Sequence, residues 1–307
     1  MRLRFGRPDI GAYADRFTVP AAAGNSPVSV TFLGVASLLF DDGRSAIMTD
    51  GFFSRPSLAR VLTRPIAPNR SRIVGCLSRA GVTQLDAVLP VHTHYDHAFD
   101  SAVVAELAGA TLVGGESTAN VGRGHGLADI TVAVPGEPMT FGHFTVTEIE
   151  SRHCPPDRFP GTIDAPLVPP AKASAYRCGE AWSIHVRHDP SGRTVLVQGS
   201  AGFVPGALAD MQADVVYLGT GQLGIRPDAE IRDYWSETVR AVGARRAVLI
   251  HWDDFFSPLH KPLRANPYAA DDLRVTMRIF DELATADGVD LVFPTVFARE
   301  DPWQISA

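Results

Sequence analysis

The sequence predicts an α/β (α+β) fold in which two mixed β-sheets are sandwiched between helices, and three observations carry that expectation. Short apolar runs of strand length alternate along the chain with segments of helical spacing. The first three runs, residues 28–33, 37–40 and 45–49, read as an antiparallel start, with Asp41-Asp42-Gly43 as turn chemistry. The chain has 307 residues and 45% hydrophobic content, enough for a large core, and no linker-like composition break divides it.

A single domain over residues 1–307 is therefore expected, with 1–27 as an N-terminal extension. After the opening strands, residues 86–91 read as a buried strand and 98–107 as a helical pattern. Strand-like runs recur at 111–113, 130–134, 144–149, 182–186, 194–197, 215–218, 247–250 and 291–293. Helical spacing is clearest at 102–107, 231–242 and 273–286, the last ended by Gly288. Two long stretches read as irregular. Residues 154–173 hold six prolines, which excludes a regular element, and follow directly on His153. Residues 51–85 carry Arg55, Arg60, Arg64, Arg70, Arg72 and Arg79 with no Asp or Glu, in a chain of net charge −6.

That net charge gives no general reason to expect nucleic acid, whose binding needs a surplus of Lys and Arg on one face. Cys76, Cys154 and Cys178 are scattered, odd in number and lack paired metal-site spacing, which suits a reducing, cytoplasmic compartment. The start, Met1 to Pro8, reads as neither signal peptide nor anchor, and no run reaches membrane-spanning length. The expected partners are a small-molecule substrate and, in a homo-oligomer, further copies of the chain.

The chemistry concentrates in His92-Thr93-His94-Tyr95-Asp96-His97, immediately after the largely apolar run 85–91. Imidazoles and a carboxylate crowded at a strand's end cost desolvation unless something binds them. On an extended chain His92 and His94 project to the same side and can grip one cation, because side chains alternate with period two. Asp96 and His97 fall in the turn that follows, which can aim them at a second cation. One or two divalent ions are implied, with zinc the leading choice and manganese or iron the alternatives.

These residues resemble the signature of the metallo-beta-lactamase fold superfamily, and other pieces of the pattern follow in order along most of the chain. The opening hairpin is similar to the family's, with Asp50 matching its aspartate after the early strand. His153 and His251 match the downstream histidines. Within the superfamily the look is nearest to the ascorbate-6-phosphate lactonase-like and N-acyl-phosphatidylethanolamine phospholipase-like branches. The resemblance implies a four-layer αββα sandwich and a metal-dependent hydrolase. It assigns His92, His94 and His153 to a first metal and Asp96, His97 and His251 to a second. Asp96 becomes a general base if the second metal is absent.

One position departs from the family. A metal-bridging aspartate usually follows the strand that here reads 194–199, and this chain has Ser200 there. A neutral hydroxyl removes one negative charge from between two dications. Three arrangements remain open: one tight metal, two metals bridged only by hydroxide or substrate, or a substitute carboxylate from Asp50, Asp253 or Asp254. Around the ligands, Arg55 and Arg60 are candidates to bind an anionic substrate, and Phe53 and Trp252 to form apolar walls. His125, His143, His185, His188 and His260 match no motif position and read as ordinary surface or core residues. Two other classes stay in view: a mononuclear iron oxygenase, against which Ser200 speaks, and a catalytically weakened homologue with a binding or regulatory role.

Overall fold

Side-chain alternation along the strands decides which layer each residue joins. The computed structural model describes residues 4–305; residues 1–3, part of the expected N-terminal extension, and 306–307 lie outside them. Two seven-stranded sheets form. The first is built from β1 (Ser29–Phe32), β2 (Leu38–Asp41), β3 (Ala46–Thr49), β4 (Ala87–Leu89), β5 (Thr111–Gly114) and β6 (Ile130–Val132). The second holds β7 (Pro138–Phe141), β8 (Phe144–Glu150), β9 (Trp182–His188), β10 (Arg193–Gln198), β11 (Val215–Gly219), β12 (Arg246–Ile250) and β13 (Asp290–Val292). Finally β14 (Arg299–Glu300) returns to pair antiparallel with β1. Both sheets are mixed: β1 to β3 run antiparallel and β3 to β6 parallel, while β7 to β10 run antiparallel and β10 to β13 parallel.

Val195 and Val197 of β10 and Val248 and Ile250 of β12 join Val30, Phe32 and Phe40 in the core between the sheets. The intervening Leu196, Ala247 and Leu249 face outward instead. On the outside of the first sheet lie α2 (Arg70–Arg79), α4 (Ser101–Ala108) and α5 (Glu116–Gly124), while α1 (Leu58–Thr63) and α3 (Tyr95–Ala98) give Val61 and Tyr95 to a separate cluster with Phe52 and Phe99. Val88 of β4 and Leu112 of β5 pack there against Ile73 and Leu77 of α2 and Val104 of α4. Outside the second sheet, α6 (Asp228–Trp235) and α7 (Leu273–Asp287) cover Leu196 and Leu249 with Trp235, Met277 and Phe280. The layers therefore run αββα. Truncating a side chain such as Leu249 to Ala would cost about 2–5 kcal/mol, because close-packed neighbours relax only partly around the cavity.

The antiparallel start is present, in the register Ser29↔Asp41 to Phe32↔Leu38. Its turn forms as its residues suggest: Asp41 accepts from the Gly43 amide at 2.7 Å, and Gly43 takes the positive φ of 82° that glycine tolerates. Gly288 likewise closes α7 at φ 66°.

Elsewhere the structure departs from the sequence reading. The strand expected over 86–91 pairs only at Ala87–Leu89, because the Val91 amide is given to the Asp50 carboxylate at 2.9 Å. Residues 51–85 are not irregular but hold α1 and α2, the latter capped by Asn69, which accepts from the Arg72 amide at 3.1 Å. The helix expected over 231–242 is α6 followed by a π-helical turn at Ser236–Arg240. The N-terminal extension docks Ile10, Tyr13 and Phe17 against the helix-covered core of the second sheet. Among the described residues, no helix is long and apolar enough to cross a membrane.

Candidate metal centre

Five connections meet at one edge of the sandwich, beyond the C-terminal ends of their strands. Asp50 follows β3, the 92–97 run follows β4, His153 follows β8, Ser200 follows β10 and His251 follows β12. The structure brings the sequence-selected ligands together as two adjacent triads, His92 with His94 and His153, and Asp96 with His97 and His251. In the first, Nε2 of His92 stands 3.1 Å from Nδ1 of His94. In the second, Nε2 of His97 stands 3.1 Å from Nε2 of His251, and Oδ2 of Asp96 lies 3.7 Å and 3.5 Å from the same two nitrogens. The rings of His92 and His97 are 4.0 Å apart, so the triads are neighbours.

The outer nitrogens of His97, His153 and His94 meet acceptors that place their protons, whereas Nδ1 of His92 and Nδ1 of His251 are buried without a partner among the described residues. Nδ1 of His97 donates to Oδ2 of Asp50 at 2.6 Å, leaving the Nε2 lone pair aimed at His251. Nδ1 of His153 donates to the Cys154 carbonyl at 2.6 Å. Nε2 of His94 lies 3.1 Å from Oδ1 of Asp157 and 3.3 Å from the Phe159 carbonyl, which leaves its Nδ1 lone pair facing His92. Unprotonated nitrogens converging on one point repel one another unless a cation lies between them.

Burial reinforces this state. It drives His92 well below the ordinary imidazole range, helped by the neighbouring histidines, lowers His94, and pulls His153 down to about 4. Neutral imidazole is the form that ligates. Burial also opposes charge on Asp96 and His97, but there the neighbours win. His97 and His251 hold the Asp96 carboxyl below the usual carboxylate range, and Asp50 and Asp96 raise His97.

The backbone is bent to serve these contacts. His251 adopts φ 58°, with its amide bonded to the Val35 carbonyl at 2.8 Å, and Asp50 adopts φ 52°. A Cβ on Gly221 would lie 2.7 Å from Nδ1 of His251, so only glycine lets that loop pass.

Ser200 does not enter either triad; its hydroxyl accepts from the Cys154 amide at 3.0 Å and so tethers the loop that carries His153. Nor do the substitute carboxylates stand between the triads. Asp50 is engaged behind His97, Asp253 accepts from Arg55 at 2.7 Å and from the Val35 amide at 2.8 Å, and Asp254 accepts from Arg7 at 2.9 Å.

The expected substrate residues are also placed elsewhere. Arg55 is fully buried in its pair with Asp253, Arg60 is exposed and outside the cavity, and Phe53 packs in the core under α2 and α4. Trp252 lies edge-on to Phe17 and Phe293. Three further arginines of the 51–85 stretch are also used structurally. Arg70 pairs with Glu106, Arg72 donates to the Ser54 carbonyl, and Arg79 covers the Phe297 ring.

A cavity of about 360 Å³ opens beside the triads. His94, Asp96, His153 and His251 form one side; Leu58, Val61 and Leu62 of α1, Tyr95, Phe159, Phe255 and Phe256 supply apolar walls. Arg158 is the one arginine or lysine lining it among the described residues. Asp157, Arg158 and Phe159 are the residues that sequence reasoning missed. Their signal was position, four to six residues after His153 within the proline-rich loop.

No protein-family model matches the sequence. The chain is 28% identical over 119 residues to a UPF0173 metal-dependent hydrolase of Heliobacterium modesticaldum, a match that takes in 38% of this chain and 43% of that protein. Igni18, a metallo hydrolase from Ignicoccus hospitalis, is similar at 13% identity and TM-score 0.50, covering 89% of this chain and 96% of that one. CmlA, a diiron β-hydroxylase from Streptomyces venezuelae, is similar at 13% identity and TM-score 0.53, covering 90% of this chain and 54% of that one. At these identities the structural likeness is one of fold. The chain has the metallo-beta-lactamase fold, and metal-dependent hydrolases are among its structural neighbours.

Proposed function

We propose that the chain, as a single domain, is a metal-dependent hydrolase that cleaves an ester, lactone or phosphoester bond in a small substrate. The observation that carries this reading is the convergence of buried ring nitrogens and the Asp96 carboxylate on the points that a divalent ion would occupy. The donor set, imidazole with one carboxylate, fits zinc first and iron or manganese next. His92, His94 and His153 would hold one ion, and Asp96, His97 and His251 a second. Ions bound there supply Lewis acidity and lower the pKa of water toward neutrality.

The remaining work falls to the chain's own groups. Asp50 and Asp157 hold His97 and His94 in the ligating tautomer. Asp96, kept ionised by its histidine neighbours, is placed to accept a proton from the attacking water where only one ion is bound. The apolar walls would take an apolar part of the substrate, and Arg158 offers a charge to an anionic substituent. Ser200 supplies no carboxylate between the triads, so a second ion would be held by Asp96, His97 and His251 without it. A cytoplasmic address belongs to the same reading and rests on three free cysteines.

The test is turnover of a panel of p-nitrophenyl esters, lactones and phosphodiesters by zinc-loaded, chelated and Asp96→Asn protein. Activity lost on chelation and in the variant supports the reading. Inactivity across the panel favours a binding role, and metal-dependent oxygen consumption favours an oxygenase.

A further inference from the structure

A second group of ligand-type side chains lies at the far end of the sandwich. Asp42 sits in the turn before β3, His143 in the turn before β8, and His188 at the end of β9. Since β3 and β8 finish at the catalytic edge, their starts mark the opposite pole. Nδ1 of His143 and Nε2 of His188 both point at one oxygen, Oδ2 of Asp42, at 2.5 Å and 3.1 Å. We propose that Asp42, His143 and His188 form a metal site of their own, for a divalent ion of the zinc class, that ties the two sheets together.

Three features support it. The ligands come from two turns and a strand end, and both sheets contribute, so local sequence alone does not bring them together. Two of the three have support behind them: Oδ1 of Asp42 accepts from the Arg44 and Ser45 amides at 2.8 Å and 2.7 Å, and Nδ1 of His188 is bonded to the Ser191 hydroxyl at 2.7 Å. Nδ1 of His188 can donate to Ser191 and so free Nε2 to ligate, the arrangement that metal-ligating histidines share. The site also has an entrance, because Asp42 and His188 are 5% and 3% exposed while His143 is 38% exposed. Two imidazoles and a carboxylate, with water in the fourth position, meet zinc's tetrahedral preference.

The experiment counts zinc per chain by elemental analysis after the whole protein is equilibrated against micromolar zinc. Wild type is compared with His143→Ala and Asp42→Asn; the second keeps the side-chain shape should the first fail to fold. Each variant is expected to hold one equivalent fewer than wild type, with the metal-dependent hydrolysis of the catalytic edge unchanged. Equal zinc content in all three overturns the proposal and makes the triad a hydrogen-bonded clasp. Because the count compares variants at the far pole, it stands whether the catalytic edge binds one ion, two or none.

Discussion

Oδ1 of Asp157 stands 3.1 Å from Nε2 of His94, on the opposite side of the imidazole from the nitrogen that faces His92. A carboxylate in that place fixes the proton on Nε2 and raises the basicity of Nδ1. Asp157→Ala is expected to weaken zinc binding about 10–100-fold without unfolding the chain. Competition against a chromophoric chelator measures it. Unchanged affinity would assign the orienting role to the Phe159 carbonyl alone.

Ser200 acts through the loop it tethers. Ser200→Ala removes the acceptor for the buried Cys154 amide and is expected to cost about 1–3 kcal/mol of stability, the penalty of an unsatisfied buried donor. The number of ions held should not change. A fall in metal content in a folded Ser200→Ala protein would instead make the hydroxyl a ligand.

Arg55 and Asp253 form a pair with both side chains at 0% exposure. Removing one partner leaves a buried charge uncompensated, so Arg55→Ala is expected to destabilise the fold by about 3–5 kcal/mol. Urea denaturation reads this directly. A variant with wild-type stability but weakened binding of anionic substrates would return Arg55 to the cavity wall.

Glu148 is buried with neither side-chain oxygen partnered, and burial raises its carboxyl from the ordinary 4.5 to about 8. The folded state therefore holds a proton that the unfolded chain releases above about 4.5, so stability falls as pH rises through that window and levels off above about 8. The slope is roughly 1.4 kcal/mol per pH unit. Glu148→Gln should remove this component, whereas Asp271 and Glu300, both raised to about 7, contribute the same sign in both proteins and cancel in the comparison. Unfolding midpoints measured across the window test it; superimposable pH profiles would contradict it.

The contrast between Asp96 and Asp157 shows what was legible in the sequence. His92, His94, Asp96 and His97 lie on one short segment, where strand alternation and a following turn set their directions. The uninterrupted apolar runs of β10 and β12 likewise read as strands, and the structure buries both of their faces. Asp157 serves His94 only because an irregular loop folds back across the site, and no local periodicity encodes that path. The roles of the arginines of 51–85 are hidden for a similar reason. The partner of Arg55 is 198 residues away in sequence, so its pairing cannot be read from its neighbourhood. In α2 only Ile73 and Leu77 are buried, too weak a stripe to stand out among the arginines.

Anomalous diffraction at the zinc edge, from crystals of the chain grown with zinc, locates metal directly. A peak between Nε2 of His92, Nδ1 of His94 and the His153 ring is the expected result. A further peak among Asp96, His97 and His251 would make the centre binuclear despite Ser200. A zinc-equilibrated crystal with ordered side chains and no peak at either triad would contradict the metal-dependent reading of this fold.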